Sequence, residues 1–159
     1  MREVSKKRQT PKGANLKTQQ IGMLGVHLVA AEFIRRGFIV APTSREAFGA
    51  DLIVTDAQCG KAWTIQVKTT GKRTANWFNV GKHANDISSK YHVYVFVNFE
   101  DDQPKFLVVD SRIVKANARP VGGFLVFDRD KAGKKEWRIF SNTNRMELPY
   151  KKRGSPQKD

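Results

Sequence analysis

The sequence predicts a mixed α/β domain, and three observations carry that expectation. One proline-free segment, Thr18 to Arg36, shows apolar residues at helical spacing. A succession of short runs rich in β-branched and aromatic residues follows it. A short helix-like stretch, SRIVKANA at 111–118, then stands among the later runs, so α and β pieces alternate along the chain.

Taken in order, residues 1–16 are polar, basic and broken by Pro11 and Gly13, and they read as a flexible arm. In the helical segment, Ile21, Leu24 and Leu28, with Val29 and Phe33 beside them, form a broad apolar side. Gly22 and Gly25 on it suit close helix–sheet packing. Arg35 and Arg36 followed by Gly37 are a stop signal, with cations at the negative end of the helix dipole. Strands are expected at 38–41, 50–55, 61–68, 91–99, 104–110, 123–128 and 136–140, with Ser111 capping the short helix. Trp63, Trp77 and Trp137 are expected in the core; an alternative for Trp77 and Phe78 is stacking on bases. No repeat or linker divides the chain, so residues 17–150 are expected to form one domain. Residues 151–159, KKRGSPQKD, read as a second loose basic tail.

Charge narrows the function. Twenty-nine Lys and Arg against fifteen Asp and Glu give +14 and a pI near 10.2 over 159 residues, a field that attracts polyanions, nucleic acid above all. With 40% hydrophobic residues the chain has enough apolar content for a core, which argues against disorder. The single Cys59 excludes an internal disulfide framework and disfavours a cysteine zinc site. The three histidines, His27, His83 and His92, lack zinc-hydrolase spacing. The basic N-terminus has no apolar signal stretch, and runs such as 93–97 are too short to cross a bilayer, so a cytoplasmic protein is expected.

The chemistry centres on two neighbouring runs, ADLIVT and AWTIQVK. Six residues, Asp56 to Lys61, separate Thr55 from Ala62. A hairpin closed symmetrically around them sets Thr55 opposite Ala62 and Asp51 opposite Gln66. Side chains alternate across a strand, so Gln66 and Lys68 share a face, and directly opposed residues point the same way. Asp51, Gln66 and Lys68 are therefore expected to converge, and a one-residue slip would separate them. Hard Mg²⁺ takes oxygen ligands, which Asp51, Gln66 and the backbone carbonyl of Val67 can supply, while Lys68 can serve a water or a phosphate. That is equipment for metal-assisted phosphodiester hydrolysis. Singly, each residue has an ordinary explanation: Asp51 as a strand-edge acid, Lys68 as an edge lysine that blocks aggregation.

Asp51 followed by Gln66-x-Lys68, behind a helix reading GMLGVHLVAAEFIRRGF, resembles the PD-(D/E)XK nuclease superfamily, with archaeal-type Holliday-junction resolvases and small bacterial endonuclease-like proteins as the nearest cousins. The likeness covers roughly 18–110 and is strongest in GADLIV…IQVKTT and YVFVNF…PKFLVVDSRIV. It implies a restriction-endonuclease-like core, a central mixed sheet flanked by helices, and a DNA endonuclease using Mg²⁺ or Mn²⁺. Asp51 and Lys68 match the motif, and Gln66 stands where a second acid is usual. The glutamate that such families carry early in the helix, eleven residues before its closing glycine, falls on Val26. Glu46 is a candidate substitute ligand; Glu32, about 600° of helical rotation from Val26, faces elsewhere. Lys72 and Arg73 after the motif, and Lys6, Lys7 and Arg8 in the arm, are candidate phosphate contacts. A homodimer or higher homo-oligomer is expected, since many relatives cut both strands as dimers. Two other functions stay open: the same fold binding double-stranded or branched nucleic acid without cutting it, and an unrelated basic RNA-binding protein.

Overall fold

The computed structural model describes residues 14–44, 47–71, 76–100, 103–133 and 137–140. Helix α1 runs Ala14–Arg35, starting before the expected Thr18 and so taking in the end of the presumed arm. Its buried stripe is Gly25, Val29 and Phe33, while Leu24 is 47% exposed; the apolar face is rotated from the one hydropathy suggests. The cause is Gly25. A Cβ there would stand 1.8 Å from the Thr69 hydroxyl oxygen, so only glycine lets the helix backbone lie this close to the sheet. Gly22 meets nothing within 4 Å and has no such role. The helix ends as expected at Gly37, whose φ of 86° is cheap for glycine. The N–H groups of Gly37 and Phe38 close on the carbonyls of Ile34 and Phe33, a Schellman ending.

The strands are β1 (Ile39–Pro42), β2 (Leu52–Thr55), β3 (Ala62–Thr69), β4 (Trp77–Gly81), β5 (His92–Glu100), β6 (Gln103–Asp110), β7 (Arg119–Val121) and β8 (Phe124–Asp128), with helix α2 (Ser111–Asn117) after β6. Five form one mixed sheet in the order β1-β2-β3-β5-β6, and a second sheet has the order β4-β8-β7. Within the large sheet β3 and β5 run parallel and the other neighbours antiparallel, so the run of strands is not a simple meander. Residues 92–98 of β5 are buried without interruption. A central strand covered on both faces reads as a continuous apolar run rather than an alternating one.

The two faces of the large sheet build two cores. On the α1 side Val29 and Phe33 pack with Leu52, Val54, Trp63, Ile65, Val67, Val93, Val95 and Val97. On the other side Tyr94, Phe96 and Val109 pack with Phe78, Val80 and Phe127 of the small sheet and Val114 of α2.

Several local expectations need correction. Residues 137–140 form a 3₁₀ turn, not a strand. At three residues per turn Trp137 and Phe140 fall on one side, and both rings stack edge-on against Phe33. The cap of α2 is Asp110, whose carboxylate accepts from the N–H of Arg112. Ser111 is instead buried and pinned to the backbone of Ser89 by two hydrogen bonds. Trp63 is in the core and Trp137 packs against it under the Arg36 guanidinium, but Trp77 is 48% exposed, at the outer end of β4. Phe78 is buried and so cannot stack on a base. Among the described residues no helix is long and apolar enough to cross a membrane.

Candidate active site

The β2–β3 hairpin is set by its loop. Asp56 is buried and its Oδ1 accepts from the N–H groups of Gly60, at 2.6 Å, and Lys61, at 3.3 Å. Cys59 takes a φ of 55° and its N–H closes on the Asp56 carbonyl. An aspartate folding the backbone after itself in this way is common turn chemistry. The loop closes with Thr55 opposite Ala62, which places Leu52 opposite Ile65. Asp51, one step beyond β2, continues the pairing through its own N–H to the Ile65 carbonyl at 2.8 Å.

The expected convergence follows. Oδ2 of Asp51 accepts from the Val67 N–H at 2.7 Å and from the Gln66 side-chain amide at 2.5 Å. The same Gln66 amide group reaches the Val67 carbonyl at 3.5 Å. Nε2 of Gln66 thus faces both of the other candidate oxygen ligands, Asp51 Oδ2 and the Val67 carbonyl, while Oδ1 of Asp51 takes no hydrogen bond among the described residues. Gln66 and Lys68 lie on the face opposite α1, because the odd-numbered Ile65 and Val67 fill the α1-side core.

The electrostatics are those of a partly desolvated pair. Burial raises the pKa of Asp51, against the Val67 N–H, the charge of Lys68 and the Gln66 amide, which all favour its carboxylate. Burial lowers the pKa of Lys68, against the charge of Asp51. Each charge relieves part of the cost of the other.

A neighbour that the sequence did not reveal is Gly81. It has a φ of 88° at a bulge in β4, and a Cβ there would stand 4.0 Å from the Lys68 ammonium nitrogen. No local signal ties residue 81 to residue 68; the small sheet does so.

Asp51, Gln66, Val67 and Lys68 are therefore together. Glu46, Lys72, Arg73, Lys6, Lys7 and Arg8 lie outside the described residues. Val26 packs against the α1-side core, where valine is at home, and Glu32 is engaged by Arg35 and Arg36. His92 is buried, hydrogen-bonded to the Thr64 hydroxyl at 2.8 Å, and burial lowers its pKa: a structural residue. No group of three or more His, Cys, Asp or Glu gathers as a metal cluster among the described residues. The donor set is one carboxylate and neutral oxygens. It fits a hard divalent cation that keeps much of its own water or borrows oxygens from a phosphate.

Among solved structures the chain is similar to Hjc, a Holliday junction resolvase of Archaeoglobus fulgidus, with a TM-score of 0.51 and 9% identity over 77% of this chain and 96% of that one. It is also similar to a bacterial homing endonuclease, with a TM-score of 0.48 and 15% identity over 79% of this chain and 86% of that one. No protein-family model and no curated protein sequence matches the chain. The likeness to Hjc is one of fold: a central mixed sheet with two α-helices among the described residues, consistent with the restriction-endonuclease-like fold.

Proposed function

We propose that this chain is a metal-dependent DNA endonuclease of PD-(D/E)XK type, acting on double-stranded or branched DNA with Mg²⁺ or Mn²⁺. The observation that carries it is the meeting of Asp51, Gln66 and Lys68 at one end of the β2–β3 hairpin. Asp51, the Gln66 side chain once its amide is turned oxygen-first, and the Val67 carbonyl would hold the cation. When bound, such a cation supplies Lewis-acid polarisation of the phosphate. Lys68 supports the attacking water, and its burial-lowered pKa enlarges the fraction present as amine. A net charge of +14 supplies the attraction to the DNA backbone, with Lys72, Arg73, Lys6, Lys7 and Arg8 as phosphate contacts. A homo-oligomer would let two such sites address two strands.

A second function, binding without cutting, is favoured by one observation: the position of the usual helix glutamate is a valine, half-buried and packed against the core. Incubation of the purified chain with plasmid and four-way junctions separates the two. Cleavage that needs Mg²⁺ or Mn²⁺, stops with EDTA and is lost in Lys68→Ala supports the endonuclease. Tight, salt-sensitive binding with no cutting in either metal supports the binding module.

A further inference from the structure

The segment between β4 and β5 carries a histidine–aspartate pair that has no part in the trio. Nδ1 of His83 lies 2.8 Å from Oδ2 of Asp86, and the two side chains are 67% and 52% exposed. The N–H of Asp86 closes on the His83 carbonyl, so one tight turn holds both. Exposed histidine–carboxylate pairs are common; the place of this one is not.

Three contacts fix it at the rim of the candidate site. Gly81 adjoins the Lys68 ammonium, and His83 follows two residues later, a span of at most ~7 Å. The His83 ring packs edge-on against Phe48 at 5.5 Å, and Phe48 precedes Asp51 by three residues. Beside that contact Ile87 reaches over Gly49, its Cδ1 standing 2.3 Å from where a Cβ would be. The charge of Asp86 also acts on the buried Tyr94 hydroxyl, and Tyr94 is the register partner of Gln66. The pair is thus tied to the surroundings of Lys68, Asp51 and Gln66 in turn.

In-line displacement at phosphorus puts the attacking and leaving oxygens on opposite sides. The hairpin trio serves the phosphate and the water and leaves the departing oxygen without a partner. With Nδ1 engaged by Asp86, Nε2 is the ring nitrogen left for a ligand. We propose that His83 is a further catalytic residue, the proton donor to the leaving oxygen of the scissile phosphodiester, with Asp86 as its positioning residue. The inference rests on the nuclease function proposed above. Water oxygen bonds to phosphorus and its proton passes to Lys68 as amine. The bond from phosphorus to the leaving sugar oxygen breaks, and that oxygen takes the proton from Nε2. The ring recovers a proton from solvent.

The test uses the full chain with Mn²⁺, in single-turnover cleavage of one DNA in two forms, natural and with sulfur in place of the leaving bridging oxygen. A thiolate departs without a proton. His83→Ala is expected to slow the natural substrate by about 10²–10⁴-fold. On the sulfur substrate most of that loss should disappear, with the DNA Kd unchanged. Asp86→Asn should slow the natural substrate by about 10–100-fold and add nothing in the His83→Ala background. Lys68→Ala should be slow on both substrates. His83→Ala cutting at the wild-type rate, or slowed equally on both substrates, overturns the inference while leaving the nuclease standing. A wild-type chain that cuts neither substrate overturns both.

Discussion

Replacing Gln66 by glutamate places a second carboxylate against Asp51 and tests whether the two side chains share a cation. The Gln66 amide donates to Asp51 Oδ2 at 2.5 Å and reaches the Val67 carbonyl at 3.5 Å. Glutamate removes those donors and substitutes a like charge. Two unit charges ~3 Å apart repel by about 5 kcal/mol at an effective dielectric of about 20. Sharing a proton, or rotating the new side chain outward, relieves most of that, leaving a net loss of about 1–3 kcal/mol without metal. At about 2–4 °C per kcal/mol, the metal-free melting temperature should fall by several degrees. A divalent cation between the two carboxylates cancels the repulsion. By linkage the same 1–3 kcal/mol then reappears as tighter binding, about 5- to 150-fold. Calorimetric titration with Mg²⁺ and Mn²⁺, together with melting curves with and without saturating cation, measures both halves. The gap between wild type and Gln66→Glu should open without metal and close with it. A variant as stable as wild type in EDTA and no tighter for either metal would mean that Asp51 and Gln66 do not share a cation, and the proposed metal site would fall.

Other expectations are as direct. Gly25→Ala must push a Cβ into Thr69 and should cost about 1–3 kcal/mol. Gly22→Ala, in open space on the same helix, should gain about 0.5–1 kcal/mol from helix propensity, and equal melting temperatures for the two would refute the close approach. Asp56→Ala removes the acceptor for two loop N–H groups and should cost about 1–3 kcal/mol in urea unfolding; no loss would show that another feature sets the hairpin register. Lys68→Met should abolish cutting yet stabilise the fold by about 1 kcal/mol, because the folded chain disfavours the ammonium. The sign follows from the depressed folded pKa: the cost is present below that value and vanishes above the ordinary 10.5, so the advantage of Lys68→Met should shrink as pH rises. An advantage that grows with pH would contradict it. Burial raises the pKa of Asp51, so cation affinity, titrated across acid pH, should begin to fall at a higher pH than an ordinary carboxylate at 3.8 would give; a fall confined to lower pH would oppose that.

What the sequence disclosed depended on distance along the chain. The hairpin could be read because its loop is short and Asp56 with Gly60 supplies the turn within a few residues, so counting from Thr55 to Ala62 placed Asp51 against Gln66. The helix could be found by period but not oriented, since its closest contact is Gly25, and a glycine is silent in a hydropathy pattern. The segment 137–140 has the composition of a strand, yet the aromatic cluster around Phe33 recruits it as a 3₁₀ turn, tertiary packing overriding local preference. Gly81 at Lys68, and Phe48 at His83, join residues brought together only by the small sheet and the connection between two parallel strands. Pairings of that range leave no periodic trace.

The arrangement around β3 also bears on positions 26 and 66, where the resemblance to PD-(D/E)XK nucleases leads one to expect acids. Odd-numbered side chains of the strand enter the α1-side core, and even-numbered ones carry Gln66 and Lys68. Val26 belongs to the first side, half-buried against the core, where a carboxylate would lose apolar packing and part of its hydration. Gln66 has the complementary effect on the second side: it lends hydrogen to the lone Asp51 carboxylate, which a second acid would repel. Val26 packing against the core and the Gln66–Asp51 hydrogen bond both stabilise the fold without calling on a cation. On the proposed function the cation site would be a weak one that gains full occupancy only when a phosphate adds its own oxygens, so metal and DNA would enter together.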